Sequence, residues 1–387
     1  MARVRLFAAL REIAGTGELD ASGGTPDEVV VALGEKFGKR FEEIARAGSV
    51  VVDGERGEWD ARLEGDEEVA LLPPVSGGRD ETRPRPQRVL LVANPVARTV
   101  SRATLNVLEK ALAADFKLDV DETTGRGHAT ELARRAAADG YDMVVVFSGD
   151  GTVNEVINGL AGTDVSLGII PGGATNVMAR VLGLPEDPVE ATDRLIQAAL
   201  SGRARLIGLG NGDGRRFAFA CGVGIDADAM GEVDERNAES KRAFERAALS
   251  AVLRAALLRY AGREPFLTVR IDGADPIEGV SVLIGRTNPY TFYRGRGLKV
   301  TPQATLEGGL DVVAVKRLTR RSAPRLISQL FVTGRHVNRK TIEYRHDSSS
   351  VEIEGDAPFP VQMDGDFLGT RERLSVRVER DALWVVG

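Results

Sequence analysis

At 387 residues the chain is too long for one ordinary hydrophobic core, so its length predicts two or three domains. Hydrophobic residues make up 43% and charged residues 28%, which is typical of a globular protein, and the net charge of −6 argues against binding to nucleic acid. The single cysteine, Cys221, excludes an internal disulfide framework. No apolar run approaches the roughly 18 residues that cross a membrane, and the N-terminus is too charged for a secretory signal, so we expect a cytoplasmic protein.

Residues 1–78 have the pattern of a small α+β domain. The stretch "RVRLFAAL" alternates in polarity as a strand does, and "SVVVDG" and "EEVALLPPV" have the composition of further strands. Between them, "TPDE" places Thr25 as the N-cap of a helix with a capping box. Val29, Leu33 and Phe37 then recur at helical spacing and share one face of that helix. Together these elements predict a β-grasp fold.

The segment 79–87, "RDETRPRPQ", is polar and contains two prolines, which predicts an extended linker. After it, near-continuous apolar strands alternate with helical stretches. This alternation predicts a doubly wound parallel sheet whose ligands bind at the carboxyl ends of the strands. The predicted strands are "RVLLVANP", "KLDV", "DMVVVF" and "SLGIIP". Two predicted helices cover about 104–114 and 128–138, and two more start near residues 153 and 176.

Two glycine-rich loops follow neighbouring strands of this sheet. They are "SGDGTVNEVING", which begins at Ser148, and "IIPGGATNVMAR", which begins at Ile169. Glycines let the backbone approach phosphates closely, and the following helix N-terminus supplies N–H donors and positive potential. Because a lone carboxylate repels phosphates, Asp150 predicts a metal ion or a hydroxyl partner. The two loops therefore predict a phosphate-binding site.

The C-terminal half combines alternating strands with two amphipathic stretches. A helix is predicted over about 235–260, and a basic stretch, Lys316–Arg345, holds nine Lys or Arg residues and one acidic residue. Arg320, Arg321 and Arg325 flank the apolar residues of "APRLISQLFV". Such a stretch either makes peripheral contact with an anionic membrane or forms an ordinary surface helix with a solvated basic face.

Both ends of the first module carry a family resemblance. "LFAALREIAG" and "LEGDEEVALLPPVSGG" resemble the MoaD/ThiS-type sulfur carriers, in particular the small subunit of molybdopterin synthase. The resemblance implies a ubiquitin-like β-grasp domain, a sulfur-carrier tail at Gly77 and Gly78, and an adenylating enzyme or the molybdopterin synthase large subunit as partner. Here Arg79 follows Gly78, so its carboxyl group is an amide and the intact chain cannot carry sulfur. Two interpretations remain: a binding module, or a carrier released by cleavage after Gly78.

The second resemblance covers almost all of residues 88–387. "ETTGRGHATELAR", "SGDGTVNEVING" and "PGGATNVMAR" resemble the diacylglycerol kinase catalytic family. The resemblance implies a Rossmann-like nucleotide domain over 88–205 and an antiparallel β-sandwich over 206–387. The ATP-binding residues that it implies are Asn94, Pro95, Thr123, Ser148, Gly149, Asp150, Gly151, Thr152, Asn154, Glu155, Gly173, Thr175 and Asn176.

Two further segments of this resemblance imply chemistry. "VQMDGDFLG" matches the family's Asp-Gly-Glu, whose last acid removes the proton from the lipid hydroxyl, and that position is Asp366. "GRGLKVTPQATLEGGLDVVAV" resembles a segment that holds a structural magnesium ion. Glu307 would be its carboxylate ligand, with backbone carbonyls near Thr305 and Gly309.

The sequence therefore predicts an ATP-dependent lipid kinase, with diacylglycerol as the favoured substrate, behind a sulfur-carrier-like domain. Asp366 acts as the general base, and Mg²⁺ bridged through the Asp150 region offsets the phosphate charge. One alternative is phosphorylation of a sphingoid or polyprenyl alcohol. Another is a molybdopterin sulfur carrier with a non-catalytic kinase-like domain. The expected location is cytoplasmic, with peripheral attachment to a membrane.

Overall fold

The computed structural model describes residues 2–6, 10, 13–46, 49–53, 55–63, 67–72, 80–97, 100–235, 241–293 and 295–387. The chain divides into two compact units, Met1–Gly77 and Gly78–Gly387. The predicted sulfur-carrier tail, Gly77 and Gly78, lies outside the described residues. Among the residues that are described, no helix is long and apolar enough to cross a membrane.

The N-terminal unit is a five-stranded mixed sheet with helices packed against it. Its strands are β1 (Ala2–Leu6), β2 (Glu18–Ala21), β3 (Ser49–Val52), β4 (Glu55–Arg56) and β5 (Glu68–Leu72), and its helices are α1 (Pro26–Phe37) and α2 (Lys39–Arg46). The spatial order is β2-β1-β5-β3-β4, and the central pair β1–β5 is parallel. Val29 and Leu33 of α1 are buried in the core, and the Thr25 hydroxyl accepts the Glu28 N–H as the N-cap. The predicted β-grasp fold is confirmed.

The second unit begins with part of the predicted linker. Asp80–Thr82 forms strand β6, which pairs antiparallel with the start of strand β11 (Arg203–Gly212). The backbone N–H of Arg83 donates to the Gly202 carbonyl at 2.9 Å, and the Arg83 guanidinium lies 4.5 Å from the centre of the Trp384 ring. The segment is extended as expected, but strand pairing and this ring contact attach it to the second unit.

A parallel sheet with helices on both faces follows. Its strands are β7 (Arg88–Ala93), β8 (Lys117–Glu122), β9 (Met143–Ser148) and β10 (Ser166–Pro171), in the order β10-β9-β7-β8. Its helices are α3 (Arg102–Ala113), α4 (His128–Ala138), α5 (Asp150–Leu160), α6 (Val177–Val181) and α7 (Pro188–Leu200). Helices α4 and α5 share one core with this sheet, and α3 and α7 share the core on the other face.

One helix start on this sheet differs in detail from the prediction, and one agrees with it. Helix α5 begins at Asp150 rather than near residue 153, because Gly149 has extended backbone angles and serves as its N-cap. Helix α6 starts directly after Asn176, as predicted, but it is only five residues long, and Asn176 adopts the left-handed conformation. The N-terminus of α5 therefore lies directly after the end of β9.

The C-terminal part is the antiparallel β-sandwich that the resemblance implies. Besides β11, its strands are β12 (Arg215–Phe217), β13 (Ala220–Val223), β14 (Leu267–Ile271), β15 (Ile277–Gly279), β16 (Ser281–Gly285), β17 (Thr291–Tyr293), β18 (Arg296–Leu298), β19 (Leu310–Val315), β20 (Ile342–Ser348), β21 (Ser350–Met363) and β22 (Asp366–Val386). Strand β22 also pairs in parallel with β10, with Leu167 opposite Val385. One continuous sheet therefore joins the sandwich to the parallel strands.

The helices of this part are α8 (Ile225–Glu235), α9 (Lys241–Arg254) with a π-helical continuation over Ala255–Tyr260, and α10 (Ala323–Ser328) with a π-helical continuation over Gln329–Thr333. The helix predicted over about 235–260 is found as α9 and its continuation, which begin at Lys241 and end at Tyr260, and its last turns are π-helical. The hydroxyl of Tyr260 donates to Asp228 at 2.8 Å, which fixes the π-helical turn against α8. Residues 236–240 lie outside the described residues.

Candidate functional site

The two glycine loops after β9 and β10 lie in direct contact. A Cβ atom on Gly173 would lie 2.4 Å from the Cα of Gly149, and one on Gly172 would lie 3.0 Å from the Cα of Ser148. A side chain at either position would push the loops apart, so this close approach requires glycine. The loops bring two helix N-termini to one edge of the sheet, which is an arrangement that binds phosphates.

Side-chain hydrogen bonds hold these loops in place. Thr152 Oγ1 accepts from Asn94 Nδ2 at 3.1 Å and from the Ser148 hydroxyl at 2.8 Å. Asn176 Oδ1 accepts the N–H of Gly173 at 2.8 Å. The structure thus brings together the predicted residues that follow three neighbouring strands, β7, β9 and β10.

Four more predicted nucleotide residues lie at the same edge of the sheet. Pro95 is exposed directly after Asn94. The N–H of Thr123 donates to the Ala93 carbonyl at 2.9 Å, which ties the end of β8 to β7. Thr175 and Gly151 line a common cavity.

Asp150 has a partner that the sequence did not predict. Its Oδ1 accepts the N–H of Met178 at 3.3 Å, so the carboxylate caps the start of α6. Burial raises the pKa of Asp150, while the N–H groups of Val177, Met178 and Asn176 lower it. The sequence predicted a metal ion or a hydroxyl group as the partner of the Asp150 carboxylate, and backbone N–H donors supply part of that interaction.

Asp366 lies beside the phosphate loop at the start of β22. It follows a two-residue hairpin turn in which Asp364 and Gly365 both have positive φ angles, 49° and 86°, as an Asp-Gly type I′ turn requires. Its Oδ1 would be 3.8 Å from a Cβ on Gly151. The turn therefore carries the predicted base to the carboxyl ends of the parallel strands.

Two arginines next to Asp366 were missed by the sequence reasoning. Arg215 Nη2 lies 2.6 Å from Asp366 Oδ2, and Arg126 Nη2 lies 3.9 Å from Oδ1. Arg215 also donates to Asn154 Oδ1 at 3.1 Å. Arg215 and Asp366 are 151 positions apart, so no local pattern could have paired them. They place two positive charges beside the predicted base.

The buried Asp364 anchors the hairpin. Its carboxylate accepts the N–H groups of Ala218, Phe219 and Ala220 and the amide of Asn154, at 2.7 to 2.9 Å. Burial raises the pKa of Asp364 to about 6, although these hydrogen bonds lower it. This residue holds the turn that carries Asp366.

Asn154 and Glu155, which the resemblance implies bind ATP, do not face the nucleotide loops. The Asn154 amide nitrogen also donates to the Arg216 carbonyl at 3.0 Å, and only 2% of the residue is exposed. The Glu155 carboxylate accepts the N–H groups of Gly127 and Ala129, at 2.9 and 3.2 Å, at the start of α4. Both side chains fasten protein segments together, because neighbouring elements cover their side of α5.

The loop over residues 305–309 does not fit a structural magnesium ion. Arg286 is fully buried, and its guanidinium donates to the carbonyls of Gly309 at 2.8 Å and Leu306 at 2.5 Å and also to that of Gly308. The Thr305 carbonyl accepts the Gly308 N–H. Burial lowers the pKa of Arg286 to about 10, so it remains charged at neutral pH. A cation of the protein thus occupies this loop.

Glu307 is part of the same arrangement. Both of its carboxylate oxygens are buried without a hydrogen-bond partner, and its negative charge raises the pKa of Arg286. Over the described residues, no group of three His, Cys, Asp or Glu side chains is placed to hold a metal ion. Thr305, Glu307 and Gly309 are also absent from the lining of the cavity that contains Asp366.

That cavity has a volume of about 650 Å³. One end is formed by Asp150, Gly151 and Asp366 of the nucleotide edge. Its walls are mainly apolar and come from α8, α9 and its continuation, β16, the β17–β18 hairpin and α10. The cavity therefore joins the nucleotide edge, with Asp366, to a mainly apolar space.

Comparison with known families divides the chain into three parts. Residues 88–206 match the diacylglycerol kinase catalytic domain, and residues 220–387 match the YegS C-terminal NAD kinase beta sandwich-like domain. Residues 4–78 match the ThiS family. Both resemblances predicted from the sequence are confirmed.

Individual proteins that are similar to this chain are also diacylglycerol kinases. A diacylglycerol kinase of Bacillus subtilis (strain 168) is 29% identical over 290 residues, covering 73% of this chain and 91% of the relative. A diacylglycerol kinase of Mycobacterium tuberculosis (strain H37Rv) is 32% identical over 259 residues, covering 64% and 78%. The crystal structure of a diacylglycerol kinase from Bacillus anthracis str. Sterne is similar in fold, with a TM-score of 0.61 at 22% identity over 79% of this chain and 98% of that one.

Proposed function

Because the chain belongs to the diacylglycerol kinase family, we propose that it transfers the γ-phosphate of ATP to the hydroxyl group of diacylglycerol. The observation that carries this proposal is the apolar cavity that ends at Asp366 beside the phosphate loops. In this proposal the acyl chains of the lipid pack against the apolar walls of the cavity. The hydroxyl oxygen of the lipid then lies next to the γ-phosphorus of ATP, at the end of the cavity that contains Asp366.

In the proposed reaction, Asp366 accepts the hydroxyl proton as the new O–P bond forms and the bond to the β-phosphate breaks. Arg215 and Arg126 keep the carboxylate in position and attract the phosphoryl oxygens. The backbone N–H groups around Gly149 and Gly173 hold the phosphates. Asp150 is the carboxylate of the phosphate loop that would hold Mg²⁺ bound with ATP, and the ion would offset phosphate charge there.

The enzyme reaches its substrate from a membrane surface. Leu326 and Ile327 of α10 line the cavity, while Arg320, Arg321 and Arg325 beside them are exposed. This pairing supports peripheral attachment of a cytoplasmic protein to anionic lipid. Replacing the three arginines by Gln should weaken binding to anionic vesicles by about 1 kcal/mol for each charge, measured by co-sedimentation. Equal binding of the native protein to neutral and anionic vesicles would refute the attachment.

The N-terminal unit supports a second candidate function, a molybdopterin sulfur carrier released by cleavage after Gly78. The ThiS match ends at residue 78, and β6, which pairs with the kinase sheet, begins at Asp80. Cleavage would thus free a carrier for an adenylating enzyme or a molybdopterin synthase large subunit and leave the kinase sheet complete. Mass spectrometry of the protein from its native cell tests this. A fragment ending at Gly78 supports release, whereas full-length chain alone while molybdenum cofactor is being made leaves the binding-module alternative.

Phosphate transfer from radiolabelled ATP tests the kinase. The full chain should convert diacylglycerol to phosphatidic acid in mixed micelles. The same assay with sphingoid and polyprenyl alcohols tests the rival substrates. ATP binding without transfer to any lipid would favour a non-catalytic kinase-like unit.

A further inference from the structure

The polar end of the cavity contains a second carboxyl group besides the proposed base. Asp226, in the first turn of α8, lines the cavity together with Tyr290 and Gln362. Tyr290 and Gln362 are buried, whereas Asp226 keeps partial exposure. None of the three has a part in the proton or phosphoryl transfer described above.

The three side chains form a hydrogen-bonded cluster that reaches the hairpin of Asp366. Asp226 Oδ2 accepts from the Tyr290 hydroxyl at 2.8 Å and from Gln362 Nε2 at 2.6 Å. Gln362 Oε1 accepts the N–H of Gly365 at 2.9 Å. Gln362 therefore connects Asp226 to the residue that directly precedes the base.

The backbone leaves room for this carboxyl group. A Cβ atom on Gly222 would lie 2.3 Å from Asp226 Oδ2, so β13 needs glycine at this position. Burial raises the pKa of Asp226, while the Tyr290 and Gln362 hydrogen bonds lower it. Keeping a carboxyl group in an apolar cavity costs free energy unless its oxygens are bonded. Within the described residues, both hydrogen bonds to Asp226 end on Oδ2 and none on Oδ1.

A ligand in this cavity would therefore meet two polar points. Asp366 takes the acceptor hydroxyl, and Oδ1 of Asp226 is left for another group on the same lipid head. A carboxylate accepts a hydrogen bond from a hydroxyl or ammonium group, and a protonated carboxyl donates to an ester carbonyl. Acylglycerols and sphingoid bases carry such a group next to the acceptor hydroxyl. Simple long-chain and polyprenyl alcohols do not.

We propose that Asp226 binds this second polar group and selects lipids that carry one beside the acceptor hydroxyl. The inference rests on the proposed lipid kinase function and narrows its substrate class. It assigns Asp226 to substrate recognition and leaves proton transfer to Asp366. Tyr290 and Gln362 are positioning residues, since they act through Asp226.

The test compares two lipids in the same micelles: dioctanoylglycerol, which has ester groups beside its hydroxyl, and dodecanol, which has none. Wild-type enzyme should prefer dioctanoylglycerol in kcat/KM. Asp226→Leu should lower kcat/KM for dioctanoylglycerol about 10- to 100-fold, the equivalent of one lost buried hydrogen bond, and leave dodecanol and the KM for ATP unchanged. Asp226→Asn, which keeps the size of the side chain, and Tyr290→Phe should have smaller effects in the same direction.

A structural role would give a different pattern. An equal loss on both lipids in Asp226→Asn and Asp226→Leu, with a lowered Tm, would overturn the inference, as would an unchanged preference. Failure of the proposed function is separable, because wild-type enzyme would then phosphorylate neither lipid. In that case calorimetric binding of dioctanoylglycerol to the wild type but not to Asp226→Leu would still support recognition by Asp226, and equal binding would refute it.

Discussion

Two loops of the second unit resemble ligand sites in sequence, but they differ in what their polar groups already bind. The loop after β9 presents a helix N-terminus to the cavity, and Gly173 lets the facing loop approach it closely. In the loop over residues 305–309, Arg286 already occupies the carbonyls of Leu306 and Gly309. Buried polar groups need partners, and a ligand is required only where the chain supplies none. By this measure the carbonyls of the second loop need no ligand, and the Glu307 carboxylate, which has no hydrogen-bond partner, is compensated by the charge of Arg286.

The largest expected effect is on turnover, and it follows from substitution of Asp366 beside the loop after β9. Asp366→Asn should lower turnover by roughly 10²–10⁴-fold, because the amide cannot take the proton, and should leave the KM for ATP nearly unchanged. Steady-state kinetics with diacylglycerol measures it. The matched control is Asp356→Asn, the same change at an exposed position of β21. Turnover within a few-fold of wild type would remove Asp366 from the mechanism.

A substitution of Arg286, which occupies the loop over residues 305–309, should change the free energy of unfolding. Arg286→Met removes the buried guanidinium and leaves three carbonyls and the Glu307 carboxylate without it, so unfolding should become easier by about 3–5 kcal/mol. Urea denaturation followed by circular dichroism measures this. Arg270→Met, at an exposed position of β14, should change stability by less than about 0.5 kcal/mol. Equal effects of the two substitutions would contradict the assigned role of Arg286.

A smaller effect tests the contact between the glycine loops. Gly173→Ala should lower kcat/KM for ATP by about 10- to 100-fold, because the new Cβ would lie 2.4 Å from the Cα of Gly149 and separate the loops. Gly151→Ala is the graded comparison, since its Cβ would make only an ordinary contact of 3.8 Å with Asp366. A greater loss in Gly151→Ala than in Gly173→Ala would mean that loop contact does not limit ATP use.

The smallest expected effect is that of metal removal on the protein without nucleotide. Because Arg286 supplies the positive charge of its loop, EDTA or added Mg²⁺ should shift the Tm by no more than about 1 °C. Differential scanning calorimetry in the absence of ATP makes the measurement. A stabilisation that saturates with Mg²⁺ and disappears in Glu307→Gln would restore the metal site that the sequence predicted.

The sequence was most informative where local pattern determines structure. The predicted helix over 128–138 and strand "SLGIIP" match α4 and β10, because apolar periodicity and strand composition are local properties. Thr25 caps its helix as expected. The hairpin at Asp364 and Gly365 also follows from two adjacent residues that tolerate positive φ. Each of these features is decided within a few positions of the chain.

The site was predictable only in part, because its side chains are paired by tertiary packing. Arg215 with Asp366 and Asn154 with Asp364 join positions 151 and 210 residues apart. Glu155 lies in the same motif as Ser148, yet it bonds to the start of α4. A motif shows which residues are near each other in sequence but not which face of the helix each one occupies.

Strand β22 connects Asp366 to the strand that precedes the second glycine loop, in addition to its part in the sandwich. Its first residue is Asp366, and near its other end Val385 pairs with Leu167 of β10, the strand that leads into Gly172 and Gly173. The acid–base group and the phosphate cradle thus belong to one sheet, so a change in the length of β22 changes the position of one relative to the other. A slip of two residues would displace the carboxylate by roughly 7 Å. Insertions or deletions within β22 should therefore abolish catalysis even where the sandwich still folds.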